Sequence, residues 1–255
     1  MLDCTLRDGG YVNDWDFGHS TITGIYKRLE AAGADYIEVG FLDDRREFDI
    51  NRSIMPSTEA INKIFGSVKK GKAIPVAMID FGTCSLDSIG SCDSTFIDGI
   101  RVIFKKEKID QALPFCKAIK EKGYKLFIQA ISITAYSDIE MLEYVNRINE
   151  IKPYAFSIVD TYGLLDNSSM ARYFYLIDNN LDPSIKMGYH EHNNFQLGFS
   201  NTIKFLEKST KRHWWQILRF MAWEKCRKLC QRTFSDAFKR ILRRALRFKP
   251  VVGDC

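Results

Sequence analysis

The chain has 255 residues, 45% of them hydrophobic and 27% charged, which is enough apolar material for one large core and excludes a disordered chain. No run approaches the ~18 consecutive apolar residues of a membrane-spanning helix. The net charge of +5 hides a break: residues 211–255 hold 13 Lys and Arg against 3 Asp and Glu, while the rest is net acidic, so we divide the chain into 1–210 and a basic tail, 211–255.

Strand-like sequence starts almost directly after Met1, at Leu2–Arg7, and leaves no room for a signal peptide. The seven cysteines include no Cys-x-x-Cys pair. Reduced thiols in a cytoplasmic protein are the expectation. Further strands are expected at Tyr36–Phe41, Ile74–Ile79, Ile100–Phe104, Leu126–Ala130, Phe156–Asp160 and Met187–Asn193. Between them lie stretches with apolar residues at helical spacing, such as Ile109–Lys122, Ile139–Glu150 and Met170–Asn180. Asp138 and Asn167 stand where N-caps belong, and Gly123 where a helix ends.

Strand–helix alternation implies right-handed crossovers and a parallel sheet. Seven βα units exceed the usual doubly wound sheet and predict an α/β fold of the (β/α)8 TIM-barrel type. Eight strands are needed to close one. Reactive groups in such barrels gather where strands end. Arg7-Asp8 closes strand one, Glu38 lies within strand two, Asp160-Thr161 closes strand six, and His190 and His192 end strand seven.

His190-Glu191-His192 on a strand puts both imidazoles on one face and Glu191 on the other. Two such imidazoles and a carboxylate from another strand can hold one metal ion and leave positions open for substrate. A pair of hydrogen-bonded histidines fits the same pattern. Asp8 before Gly9-Gly10 fits a turn former as well as a third ligand. Arg7 would then place a fixed positive charge beside the same substrate.

Leu-Asp-Cys-Thr-Leu-Arg-Asp-Gly-Gly (2–10) and His190-Glu191-His192-Asn193, followed by Gln196-Leu197-Gly198, resemble two signatures of one family. That family, the DRE-TIM metallolyases, includes 3-hydroxy-3-methylglutaryl-CoA lyase, isopropylmalate and homocitrate synthases and 4-hydroxy-2-oxovalerate aldolase. The resemblance covers roughly residues 2–210 and implies a pyruvate-carboxyltransferase-type barrel. In it Asp8, His190 and His192 would bind Mn2+ or Mg2+ and Arg7 would steady an enolate oxygen. The implied reaction is aldol cleavage, lysis or Claisen-type synthesis on a 2-oxo acid or acyl-CoA, with a homo-oligomer or partner enzyme in view. Gln129, Asp160 and Thr161 are candidate substrate contacts or ordinary polar residues of the barrel mouth. The aldolases carry a base histidine after Arg-Asp-Gly where this chain has Gly10-Tyr11, which leaves Tyr11 and His19 as stand-ins. A barrel metallohydrolase is the rival enzyme, although those place His-x-His on the first strand.

Residues 213–249 read as a basic helix, suited to nucleic acid, an acidic surface or packing on the barrel, and would make an impaired barrel with a partner-binding tail. They also admit a third reading. Taking the last base of each codon from His213 with the first two of the next permits Leu-Val-Ala-Asp-Ser-Thr-Leu-Tyr-Gly-Met-Gly. This is an apolar strand ending in a glycine-rich loop, and it resembles the family's eighth strand. A one-base slip near Lys208–Arg212, where lysine codons make A-rich DNA, would explain the break in composition.

Overall fold

The computed structural model describes residues 1–208 and 215–216. Its first strand, β1 (Leu2–Asp3), runs into a four-residue helix, α1 (Thr5–Asp8), a 3-10 turn (Gly9–Val12) and α2 (His19–Ala31). Then come β2 (Tyr36–Leu42), β3 (Ile54–Met55), α3 (Thr58–Phe65), β4 (Ile74–Asp80), β5 (Gly99–Phe104) and α4 (Ile109–Glu121). The second half holds β6 (Lys125–Ala130), α5 (Asp138–Ile151), β7 (Ala155–Asp160), α6 (Asn167–Asp178), β8 (Lys186–Glu191), α7 (Gly198–Lys208) and β9 (Trp215–Gln216).

The strands form one sheet in the order β1-β2-β4-β5-β6-β7-β8-β9, with β3 beside β2, and every pair is parallel. This is the α/β barrel order, with strands following the chain around the ring. Alternate residues define its two faces. Ile37, Val39, Ala77, Ile79, Ile100, Val102, Leu126, Ile128, Phe156 and Ile158 are buried in one cluster with the helix residues Ile22, Tyr26, Ile61, Met141 and Phe174, so this is the outward face. The inward face starts with an apolar floor of Leu2, Cys4, Tyr36, Val76, Phe127 and Ala155. Above it come Glu38, Arg101, Gln129, Ser157 and His190, all buried. One side of the mouth is then walled by Trp15, Phe41, Ile54 and Met78.

Four expectations change. Strand one ends at Asp3, not Arg7. The Asp3 carboxylate accepts the Thr5 amide at 2.9 Å, and the amides of Arg7 and Asp8 both turn back to the Cys4 carbonyl. This local side-chain-to-backbone turn thus starts a helical turn where the strand would have run on. The N-caps are Ser137 and Asp166, each one residue earlier than read, with Ser137 and Glu140 forming a full capping box. Gly123 sits just past α4 at φ 92°, as a helix end requires. Strand seven of the barrel ends at Glu191, so His192 lies one residue beyond it.

The tail also differs. Trp215 and Gln216 are extended and pair in parallel with Gly188 and Tyr189, in the eighth strand's place, where a helix was expected. Among the described residues no pairing joins β9 to β1. The remainder of the basic tail lies outside the described residues.

Candidate active site

The α1 turn carries Arg7 and Asp8 over the end of the inner face, both buried. Arg7 Nε donates to Glu38 Oε2 at 2.7 Å and Nη1 to Asp8 Oδ1 at 2.6 Å. The guanidinium lies over the Phe41 ring at 5.7 Å. Its backbone is fixed too, since Trp15 Nε1 donates to the Arg7 carbonyl at 2.6 Å and Ser53 Oγ to the Leu6 carbonyl. Trp15 reaches that carbonyl from a left-handed conformation, φ 58°, packed on Gly10.

His190 and His192 lie side by side at the end of β8, ring centroids 5.2 Å apart at 66°. His192 Nδ1 lies 2.7 Å from the Asp160 carbonyl; with the proton assigned to that nitrogen, Nε2 is the nitrogen with a lone pair of the kind that ligates a metal. His190 Nδ1 is buried with no hydrogen-bond partner. Burial holds the His190 ring well below the usual imidazole range, helped by His192, Arg7 and Arg101. Burial lowers His192 as well, against the pull of the Asp160 carbonyl. Both rings are therefore neutral, the form a metal requires.

Among the described residues, no three His, Cys, Asp or Glu side chains are gathered tightly enough to hold a metal ion. Two neutral imidazoles in contact have the chemistry of a divalent-ion site. The carboxylate needed beside them, Asp8, has Oδ1 in a salt bridge with Arg7. The donors suit the ion, and the set of three is not closed.

Gln129 lies on the inner face, and its Oε1 accepts from Arg101 Nη2 at 2.5 Å. Asp160 is turned away from the barrel axis. It shares the outward register of Phe156 and Ile158, and its oxygens accept the amides of Leu164 at 3.0 Å and Leu165 at 2.8 Å. Thr161 Oγ accepts the Ser132 amide at 2.7 Å and so ties two loops of the mouth together. The structure thus gives Asp160 and Thr161 loop-holding contacts. His19 caps the outside of the barrel, with Nε2 2.8 Å from the Ile64 carbonyl, and is removed as a candidate base. Tyr11 stands at the mouth, stacked edge-on to Trp15. It is more than half exposed; partial burial pushes its phenol up while Arg7 pulls it back.

Sequence reading missed Arg101. It is 0% exposed, on β5, and its Nη1 pairs with Glu38 Oε1. The signal was an arginine inside Gly-Ile-Arg-Val-Ile-Phe, since a charge in an otherwise apolar buried strand must be paired. Beyond the barrel, Glu191 faces outward as its register demands. It accepts from Tyr189 and, at 2.6 Å, from Asn201 of α7, and burial raises its carboxyl to about 7.

Residues 1–212 match the model of the HMGL-like family. An oxaloacetate decarboxylase of Mycobacterium tuberculosis is 23% identical over 208 residues, 80% of this chain and 60% of that protein. A 4-hydroxy-2-oxovalerate aldolase of Bacillus cereus is 21% identical over 214 residues, 83% of this chain and 62% of that protein. The chain thus spans about three fifths of the length of these two relatives. Among solved structures, an HMG-CoA lyase of Acinetobacter baumannii in complex with coenzyme A and 3-methylmalate has a TM-score of 0.64 at 14% identity, covering 85% of this chain and 72% of that one. Likeness at that identity speaks for the barrel fold alone.

Proposed function

The chain belongs to the HMGL-like family, and from that premise we propose that it makes or breaks a carbon–carbon bond beside the carbonyl of a small 2-oxo acid. The observation that carries this reading is Arg7: a buried guanidinium fixed through Nε by Glu38 and through Nη1 by Asp8. Such bond changes pass through an enolate, and a preorganised cation in a dry site stabilises the oxygen where that charge develops. Arginine suits the task because it stays charged and presents a planar fork to neighbouring oxygens.

Asp8, His190 and His192 would hold a divalent ion, Mn2+ or Mg2+. When bound, it would polarise the substrate carbonyl as a Lewis acid. Gln129, on the inner face, would contact the substrate, and the Trp15–Phe41–Met78 wall would exclude water from one side of it. Tyr11, edge-on to Trp15 at the mouth, would return a proton to the carbon or oxygen released, as a protonated phenol can do.

The test is decarboxylation or retro-aldol cleavage by the purified chain over a panel of 2-oxo acids, before and after EDTA and after adding back Mn2+. Turnover that EDTA abolishes and Mn2+ restores is the expected result. A chain that binds no Mn2+ and turns over no 2-oxo acid would exclude the proposal.

A further inference from the structure

Arg7 pairs with Glu38 through Nε alone, although arginine and a carboxylate side by side usually close a two-bond fork. The second oxygen of Glu38 is taken by Arg101 Nη1, and Arg101 is itself anchored by Nη2 to Gln129 Oε1 at 2.5 Å. All four side chains are buried, with Arg101 and Glu38 at 0% exposure. They stand on α1, β2, β5 and β6, so the relay crosses the inner face from Arg7 to Gln129. We propose that Arg101 is a positioning residue: by occupying one Glu38 oxygen it prevents a two-bond grip on Arg7, and so leaves Arg7 Nη1 on Asp8 Oδ1 and the guanidinium over the Phe41 ring at the mouth.

This rests on the reading that Arg7 meets the substrate oxygen. The physical argument is one of competition. Glu38 has two oxygens facing two guanidiniums, and in a dry interior each charge-assisted bond is too strong to leave unmade. Arg101 is held from behind by Gln129, so it cannot follow Glu38 if the carboxylate turns toward Arg7. Without Arg101, Glu38 is free to rotate and take Arg7 Nη as well as Nε. The guanidinium would then be drawn into the barrel, away from the mouth. A lysine at 101 keeps a charge beside Glu38, but one ammonium at the end of a flexible stem cannot span Glu38 and Gln129 in a fixed plane.

The experiment uses the full chain and two readouts that do not need turnover. Oxalate, a planar dianion shaped like a pyruvate enolate, is titrated by calorimetry. The Arg7 Nε–H resonance is followed by NMR, assigned by its loss in Arg7→Lys. Arg101→Lys is expected to melt near the parent temperature, shift the Arg7 Nε–H signal and weaken oxalate by roughly tenfold, the size of one lost charge-assisted contact. Adding Arg101→Lys to Arg7→Lys should cost almost nothing more, because the residue it acts through is gone. Arg101→Met with Glu38→Gln removes the competing carboxylate charge, and should bind oxalate better than Arg101→Met alone. Parent-like affinity and an unmoved resonance in Arg101→Lys, or losses that add in the Arg7→Lys background, would overturn the proposal. If the parent itself binds no oxalate while the resonance still shifts, the positioning stands and the proposed function fails instead.

Discussion

At the scale of the residue, the site depends on a guanidinium with several simultaneous obligations. Arg7 holds Glu38, Asp8 and the face of Phe41 at once, which no ammonium can do from one position. Arg7→Lys is expected to lower kcat on a 2-oxo acid by roughly 10²–10³-fold, as loss of an oxyanion donor does elsewhere, with bound Mn2+ unchanged. Full activity in that variant would take Arg7 out of the mechanism. The residues nearest the chemistry were legible because their types are specific: Arg-Asp before two glycines, and two histidines one residue apart on a strand. Their bonding was not legible. Nothing in the local sequence of Asp160 says that its carboxylate closes its own loop, and a resemblance places a residue without saying what it touches. Arg101 was overlooked because it lies outside either motif, yet its setting among Ile100, Val102 and Ile103 marks it as a buried charge.

Elements carry the site only if neighbouring strands can approach closely. Gly188 on β8 faces Ser157 on β7, and a Cβ there would lie 2.3 Å from the Ser157 Oγ. Gly188→Ala should therefore cost about 1–3 kcal/mol of stability by overpacking, read as a lower urea midpoint at constant m-value. Ser157→Gly in the same chain should recover part of that cost, because the colliding oxygen is gone; purely additive losses would show that the strands do not meet there. Gly40 is stricter: it sits at φ 150° with the Ser53 carbonyl oxygen 1.8 Å from any added Cβ. Gly40→Ala is expected to lose about 2–4 kcal/mol, with no relief from side-chain changes, since the obstacle is backbone. A Gly40→Ala chain with the parent midpoint would contradict the close β2–β3 approach. Short runs rich in β-branched residues marked the long strands, β2 and β4 to β7, almost to the residue, because both of their faces are buried. They could not reveal β3, whose two residues are too few to make a run, and they overran β1, where one Asp3–Thr5 hydrogen bond ends the strand.

For the whole molecule, the question is what supplies the eighth strand. The family match ends at residue 212, the composition turns basic at 211, and among the described residues the strand beside β8 is Trp215–Gln216. All three fall where the shifted frame would supply Leu-Val-Ala-Asp, an apolar run with the residue types of a buried parallel strand. A normal strand has about 5–6 residues, and each ladder bond restored contributes about 1 kcal/mol net, besides the apolar side chains it buries. β8 carries His190 and leads to His192, and β1 leads to Asp8, so the gap between β9 and β1 among the described residues borders every proposed metal donor. Supporting strands that are short or edge-exposed let first-contact groups drift, and affinity falls even when each group is present. We expect a gene with one base added or removed near codon 211 to give a protein that melts several degrees higher, since 1 kcal/mol is worth roughly 2–4 °C in a domain of this size. It should also bind Mn2+ more tightly and turn over a 2-oxo acid faster than the chain as it stands. The frame itself is checked by sequencing the DNA across codons 205–225. If that sequence contains no slip, and the two proteins share one melting temperature and one Mn2+ affinity, then Trp215–Gln216 suffices as the eighth strand and the tail belongs to the protein.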